Sequence, residues 1–318
     1  MNSITVLRSA ADWRAKFRDQ SSIVTVGNFD GVHLGHQQIL RDVCSVARKN
    51  TQIAAVLTFY PHPTRVLRPA QAPPLLMTLE QRLEAIAQLG IEAAFVVPFN
   101  AELAAMSAEG FVHQYLADTM HARGVFVGAN FRFGHKQGGD VSLLVELGKR
   151  WQFEVSIEPP VIQNGVVVSS TVIRKAVAEG KMEEAHALLG RPFALEGEIR
   201  TGTGQGRRLV VPTLNLATSQ ESLPAYGVYA TEVTVEGERY KAATNVGLRP
   251  TFNGSGVTIE SYLIGFSKDL TGGPMEVRFW RRLRGEQKFP NPEVLRQQVL
   301  DDIESAKVYF QEEQTRVR

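Results

Sequence analysis

The feature that most limits the fold is a change of hydrophobic period partway along the chain. From Ser22 to about Gly190, the short apolar runs "SIVTVGNF", "QIAAVLTF", "AAFVVPF", "GVFVGANF" and "FEVSIEP" are separated by helical patterns such as "MTLEQRLEAIAQLG". That alternation predicts a parallel sheet with helices on both faces, a Rossmann-like α/β arrangement whose loops form a crevice at the carboxyl ends of the strands. Thr78 and Gln81 have capping-box spacing, which predicts a helix start there. After "LLGRPFALEGEIR" the period becomes two, in "LVVPTLNLA", "GVYATEVTV", "RYKAATNVG", "VTIESYLIGF" and "MEVRFWRRL", each bounded by Gly, Pro, Asn or Ser. Short strands so spaced predict a small antiparallel β-barrel or sandwich. The last segment, "NPEVLRQQVLDDIESAKVYFQEEQ", is helical by its apolar spacing, with Asn291 and Pro292 suited to the cap and first position. The change of period, in a chain long enough for two cores, predicts two modules, residues 1–186 and 187–318.

The length of 318 residues suffices for two cores. A formal net charge of +2 gives no electrostatic reason to expect nucleic acid as a partner. No segment reaches the roughly 18 apolar residues of a membrane span, and the start lacks a signal-peptide core. Cys44 is the only cysteine, which rules out an intrachain disulfide and a four-thiolate zinc site. These features predict a cytoplasmic protein with no membrane partner. They are compatible with a homo-oligomer without specifying one.

The chemistry concentrates in "VTVGNFDGVHLGHQQIL", Val24 to Leu40. A strand ends at Val26, Gly27 and Gly31 permit tight backbone, and a helix begins close to Gly35 or His36. A glycine-rich turn feeding a helix amino terminus is the architecture of a phosphate site, because unpaired amides and the helix dipole favour an anion. Gly27, Asn28, Phe29, Asp30 and Gly35 are the candidate cradle. His33 and His36 admit three readings: a turn residue and a helix start with satisfied hydrogen bonds, zinc ligands joined by His62 and His135, or donors that stabilise charge on a phosphoryl group.

The pattern Gly27-Asn28-Phe29-Asp30 followed by His33-x-Gly35-His36 resembles the HxGH signature of the nucleotidyltransferase superfamily. That superfamily has a second signature, ISSTxIR, and "VSSTVIR" stands at Val168 to Arg174. Physically, Ser169, Ser170 and Thr171 offer hydroxyls and amides at a helix start, and Arg174 a fork suited to phosphate. Between the signatures lie "TFYPHP" and "GANFRFGHKQGGD", each after an expected strand. Phe59, Tyr60, Phe131 and Phe133 are candidate flat apolar surfaces for a planar ring system, with His62 and Asn130 as polar contacts. Ordinary strand-end packing is the competing reading for the aromatics. Asp140 suits a helix cap.

In the second module, "RTGTGQGRRLVVPTLNL" places Gly202, Gly204 and Gly206 before a strand. Pro212-Thr213-Leu214-Asn215 resembles the PTAN motif of riboflavin kinase, and "NVGLRPTF" and "IESYLIGF" resemble that family's next blocks. Together the modules resemble the bifunctional bacterial riboflavin kinase/FAD synthetase family over essentially the whole chain. The resemblance implies phosphorylation of riboflavin to FMN by the second module and adenylylation of FMN to FAD by the first. ATP is the co-substrate in both steps and Mg²⁺ the cofactor. It further implies that Thr213 and Asn215 bind the metal and phosphates, that Glu260 is the base, that the glycine loop carries nucleotide, and that Arg249 lies by the flavin. Val210 and Leu214 depart from the family's glycine and alanine, and Gly265 from its acidic residue. The rival readings are a nucleotidyltransferase for another phosphorylated acceptor with an inactive kinase-like barrel, a non-catalytic flavin-binding regulator, and a nucleic-acid-binding barrel.

Overall fold

The computed structural model describes residues 4–18, 20–200, 212–251, 254–268 and 270–316. By contacts the chain forms two units, Met1–Ser170 and Thr171–Arg318. The contact division precedes the expected boundary, because residues from Thr171 on, in the helix that carries the second signature and the helix after it, cluster with the barrel.

The first unit holds a six-stranded sheet in the order β1-β4-β3-β2-β5-β6. The strands are β1 (Thr5–Leu7), β2 (Ser22–Val26), β3 (Ile53–Tyr60), β4 (Ala93–Pro98), β5 (Ala122–Gly128) and β6 (Glu154–Glu158). Every pairing is parallel. The edge strand β1 was not evident from pattern, being only three residues long. Alternate side chains of each central strand enter different cores. Val24, Leu57, Phe95 and Val125 share one cluster, whereas Ile23, Val56, Val96 and Phe126 share the other. The first cluster is completed by Trp13 of α1 (Ala10–Phe17), and the second by Leu40 and Val43 of α2 (Leu34–Lys49) and by Leu83 and Ile86 of the helix Leu79–Gln88. That last helix starts at the expected capping box, Thr78 with Gln81. Connections leave β2 toward β3 on one side, while β5 lies on the other, so the strand order reverses between β2 and β5. Ligands of open α/β sheets bind at such a reversal, here beside the loops that follow Val26 and Gly128.

A small hairpin, β7 (Ile162–Gln163) with β8 (Val166–Val167), precedes the second signature. Its turn is Asn164-Gly165, both at positive φ (51° and 77°). That is the Asn-Gly pairing a two-residue hairpin favours, a signal the strand reading passed over.

In the second unit six antiparallel strands close a barrel in the order β10-β13-β12-β11-β14-β9. They are β9 (Phe193–Arg200), β10 (Leu214–Ala217), β11 (Gly227–Val235), β12 (Glu238–Thr251), β13 (Gly254–Leu263) and β14 (Pro274–Gly285). Inside, three fully buried hydroxyls form a chain, Thr231 to Thr244 at 2.6 Å and Thr244 to Ser261 at 2.8 Å. The C-terminal helix, Pro292–Arg316, begins where expected, with the Asn291 side chain accepting from the Val294 amide at 2.9 Å. It packs Ile303, Ala306, Tyr309 and Phe310 against Ala230 and Ala243 on the barrel's outer face. Gly202, Gly204, Gly206 and Val210 lie outside the described residues.

Candidate nucleotide and flavin sites

The turn after β2 is held in a shape the backbone would not choose alone. Phe29, Gly31 and Val32 adopt φ of 52°, 86° and 39°. Left-handed geometry is costly for a β-branched residue such as Val32. The cost is met by the core and by specific bonds: Phe29 and Val32 are 2% and 1% exposed. The Asp30 carboxylate, itself buried, accepts from the Leu76 amide at 3.0 Å and the Met77 amide at 3.2 Å. Arg82, one turn into its helix, donates from Nη1 to the Asn28 carbonyl. Gln37 Nε2 donates to the Val32 carbonyl at 2.9 Å. Asp30 is thereby engaged in tying the turn to the segment before Thr78.

α2 starts at Leu34, one residue before Gly35, with His33 as its N-cap, and His33 Nδ1 accepts from the His36 amide at 3.3 Å. An acceptor Nδ1 fixes the proton of neutral His33 on Nε2. The two imidazoles stack with centroids 3.6 Å apart and planes 16° apart, and the His36 ring meets Phe29 edge-on at 5.2 Å. Gly35 makes the stack fit: a Cβ there would lie 3.3 Å from His33 Cε1. The first turn of α2 carries no acidic residue, so nothing on that turn offsets the positive end of a 16-residue helix.

The second signature reaches the same turn. Ser170 Oγ donates to the Asp30 carbonyl at 2.8 Å, a bond spanning 140 positions of sequence. Ser169 is half-buried, Thr171 exposed and Arg174 half-buried on the helix Ser170–Ala178.

The two intervening loops follow β3 and β5. His62 caps the short helix Pro63–Leu67, its Nδ1 accepting from the Thr64 amide at 3.3 Å, which leaves Nε2–H as its donor. Phe59 joins the first-unit core against Phe99, centroids 5.8 Å apart. Phe131 stacks on Phe133 at 5.3 Å, and Asn130 is exposed beside it. Asp140 caps α3 (Val141–Trp151), accepting from the Leu143 amide at 2.9 Å. That amide, with Arg132 adding to it, holds the Asp140 carboxyl below its ordinary pKa. Among the described residues no group of three or more His, Cys, Asp or Glu side chains is placed to hold a metal. The Nδ1 atoms of His33 and His62 are already engaged with backbone amides.

In the barrel, Asn215 on β10 stands directly opposite Glu260 on β13, and Glu260 directly opposite Asn245 on β12. Side chains of directly opposed residues share a face with Cβ atoms roughly 4.5–5.5 Å apart. Ile259, Ser261 and Leu263 are buried, while Tyr262 packs with the C-terminal helix cluster. Glu260 therefore lies on the outer face. Thr213 immediately precedes β10. Arg249 lies in β12 opposite Gly256. Two residues escaped the sequence reading. Asn245 carried a signal, since "TNVG" places it in a strand two residues from a glycine. Arg82 carried none, because a lone arginine in a helical pattern reads as a solvated face.

The FAD synthetase family matches residues 15–172, and the riboflavin kinase family matches residues 189–310. The bifunctional riboflavin kinase/FMN adenylyltransferase of Haemophilus influenzae is 34% identical over 292 residues, covering 92% of this chain and 95% of that protein. Those of Buchnera aphidicola subsp. Acyrthosiphon pisum and Escherichia coli K12 are each 32% identical, covering 92% of this chain and 94% and 93% of theirs. A crystal structure described as a macrolide-efflux protein from Streptococcus pneumoniae superposes with a TM-score of 0.83 at 29% identity, covering 94% of this chain and 97% of that one. The efflux description belongs to that protein; among the described residues here, no helix is long and apolar enough to cross a membrane. Two family matches in order, and relatives aligned along nearly the full length, lead to one conclusion: this chain belongs to the bifunctional riboflavin kinase/FMN adenylyltransferase family, with the FAD synthetase module first and the kinase module second.

Proposed function

We propose that the two phosphate transfers are divided among the residues as follows. In the barrel, Glu260 accepts the proton of the ribityl hydroxyl of riboflavin as that oxygen attacks the terminal phosphate of ATP, giving FMN. Thr213 and Asn215 orient the triphosphate, helped by Gly202, Gly204 and Gly206, and Arg249 contacts the flavin. In the first unit the FMN phosphate attacks the α-phosphate of a second ATP and pyrophosphate leaves, giving FAD. The nucleophile is already an anion, so no base is required. Donors are required instead, and His33, His36, Ser169 and Ser170 supply them with the cradle of Gly27, Asn28, Phe29 and Gly35, while Thr171 and Arg174 of the second signature are assigned to the same reaction. Asp30 acts by holding the cradle's shape. Phe59, His62, Asn130 and Phe131 form the flavin end. For function the modules divide at 186/187, because Thr171 and Arg174 serve the first reaction.

A hydroxyl and an amide carbonyl oxygen suit Mg²⁺, which takes few protein ligands when substrate phosphates complete its shell. Held by Thr213 and Asn215, it would neutralise charge on the transferred phosphate. The protein works in the cytoplasm, a reading supported by its single cysteine, Cys44, which is free and buried.

The observation that carries the assignment is convergence within each unit: Ser170 bonds to the turn of the first signature, and Glu260 faces Asn215 across one strand pair. The test is a time course with riboflavin and Mg-ATP. FMN should appear before FAD. His36→Ala should accumulate FMN and make FAD slower by on the order of 10²- to 10³-fold. Glu260→Gln should make FAD only when FMN is supplied. Parental rates in either folded variant would overturn that residue's assignment.

A further inference from the structure

Arg82 is a cation where the fold has no packing reason to want one. The helix Leu79–Gln88 turns Leu79, Leu83 and Ile86 into an apolar core, and Arg82 is buried among them at 4% exposure. A buried guanidinium is expensive unless paired, and an apolar residue of like size would fill the same space without that cost. Its Nη1 donates to the Asn28 carbonyl, but its Nε is buried with no hydrogen-bond partner, and so is Oδ1 of the same Asn28. Asp30, the acidic group with the largest influence on Arg82, accepts from the amides of Leu76 and Met77. Burial accordingly lowers the pKa of Arg82, against the opposing influence of Asp30, Glu80 and Tyr60.

We infer that Arg82 is a positioning residue for adenylyl transfer: it fixes the Asn28 backbone of the phosphate turn and places a buried positive charge beneath it. The inference rests on the reading that the turn at Gly27–His36 holds the polyphosphate. A charge kept in a poorly screening interior acts on an anion at the turn far more strongly than one at the surface. The turn itself is strained at Phe29 and Val32, so a bond to Asn28 that resists its relaxation bears on alignment as well. Arginine supplies both functions, and lysine, lacking the planar fork, supplies only the charge.

The two contributions separate in steady-state kinetics of FAD formation from FMN by the full chain. Arg82→Met removes both, and its kcat/KM for ATP should fall on the order of 10²-fold, the cost of misplacing a reactant from a distance. Arg82→Lys should keep an ATP KM near the parent's with a lowered kcat. Parental kinetics in Arg82→Met would overturn the inference. Should that variant not fold, Arg82→Lys decides alone, since a parental kcat there would overturn it equally. His36→Ala in the same assay separates the two levels of the argument. If His36→Ala is impaired and both Arg82 variants are not, this inference fails alone; if all three are parental, the reading of the turn as the phosphate site fails with it.

Discussion

Gly35 illustrates how closely single atoms govern the first site. Its missing Cβ lets the His33 ring fold back over the start of α2, where it caps the helix and stacks on His36. Gly35→Ala should press the new methyl on that ring, since 3.3 Å is tighter than ordinary contact. The expected outcome is FAD formation reduced on the order of 10-fold or more, a geometric effect smaller than loss of a donor. Riboflavin phosphorylation should be unchanged, and both rates can be read from one separation of flavin products. The residue types of this candidate site were legible: glycine, histidine, serine and arginine in two signatures are what a phosphate site would use. Their roles were not fully legible. Asp30 looked like a cradle residue, and its buried contact with Leu76 and Met77 became visible only in three dimensions, because those partners lie in a segment with no motif.

At the scale of elements, the C-terminal helix depends on one ion pair as well as on its apolar face. Arg284 of β14 grips Asp302 with two bonds, at 2.8 Å and 2.7 Å, and the side chains are only 17% and 8% exposed. Removing one partner of such a pair leaves the other buried and uncompensated. Asp302→Ala should therefore destabilise the barrel by about 3–5 kcal/mol, seen as an earlier denaturant transition, with FAD formation from supplied FMN retained. The helix was predictable from its apolar spacing and its Asn291-Pro292 start. The pairing was not, because a charged pair separated by a loop leaves no periodic trace. The same holds for Asn245, whose relation to Glu260 is a matter of strand register.

For the whole molecule, the contact division and the motifs place a cut differently. The helices Ser170–Ala178 and Met182–Leu189 cluster with the barrel unit. Arg281 of β14 pairs with Glu183 at 2.7 Å, and a Cβ on Gly180, at φ +74°, would lie 2.9 Å from the Tyr229 hydroxyl. Yet Thr171 and Arg174 lie in the second signature, which the proposed mechanism assigns to adenylylation. A fragment ending at Ser170 should thus fail to make FAD, while Thr171–Arg318 should still phosphorylate riboflavin. A fragment 187–318, stripped of both helices, should melt below Thr171–Arg318. Equal melting temperatures, or FAD formation by the shorter amino fragment, would contradict this division.

What the sequence determined by itself was the pair of folds, the order of the two modules and the signatures that carry the candidate groups, since hydrophobic period and motif spacing are local properties. The tertiary structure decided which groups meet. The Ser170 bond to the first turn, the Asn215–Glu260–Asn245 row and the burial of Arg82 beneath Asn28 all join residues far apart in the chain. Such contacts are settled by packing and strand register, which no local pattern encodes.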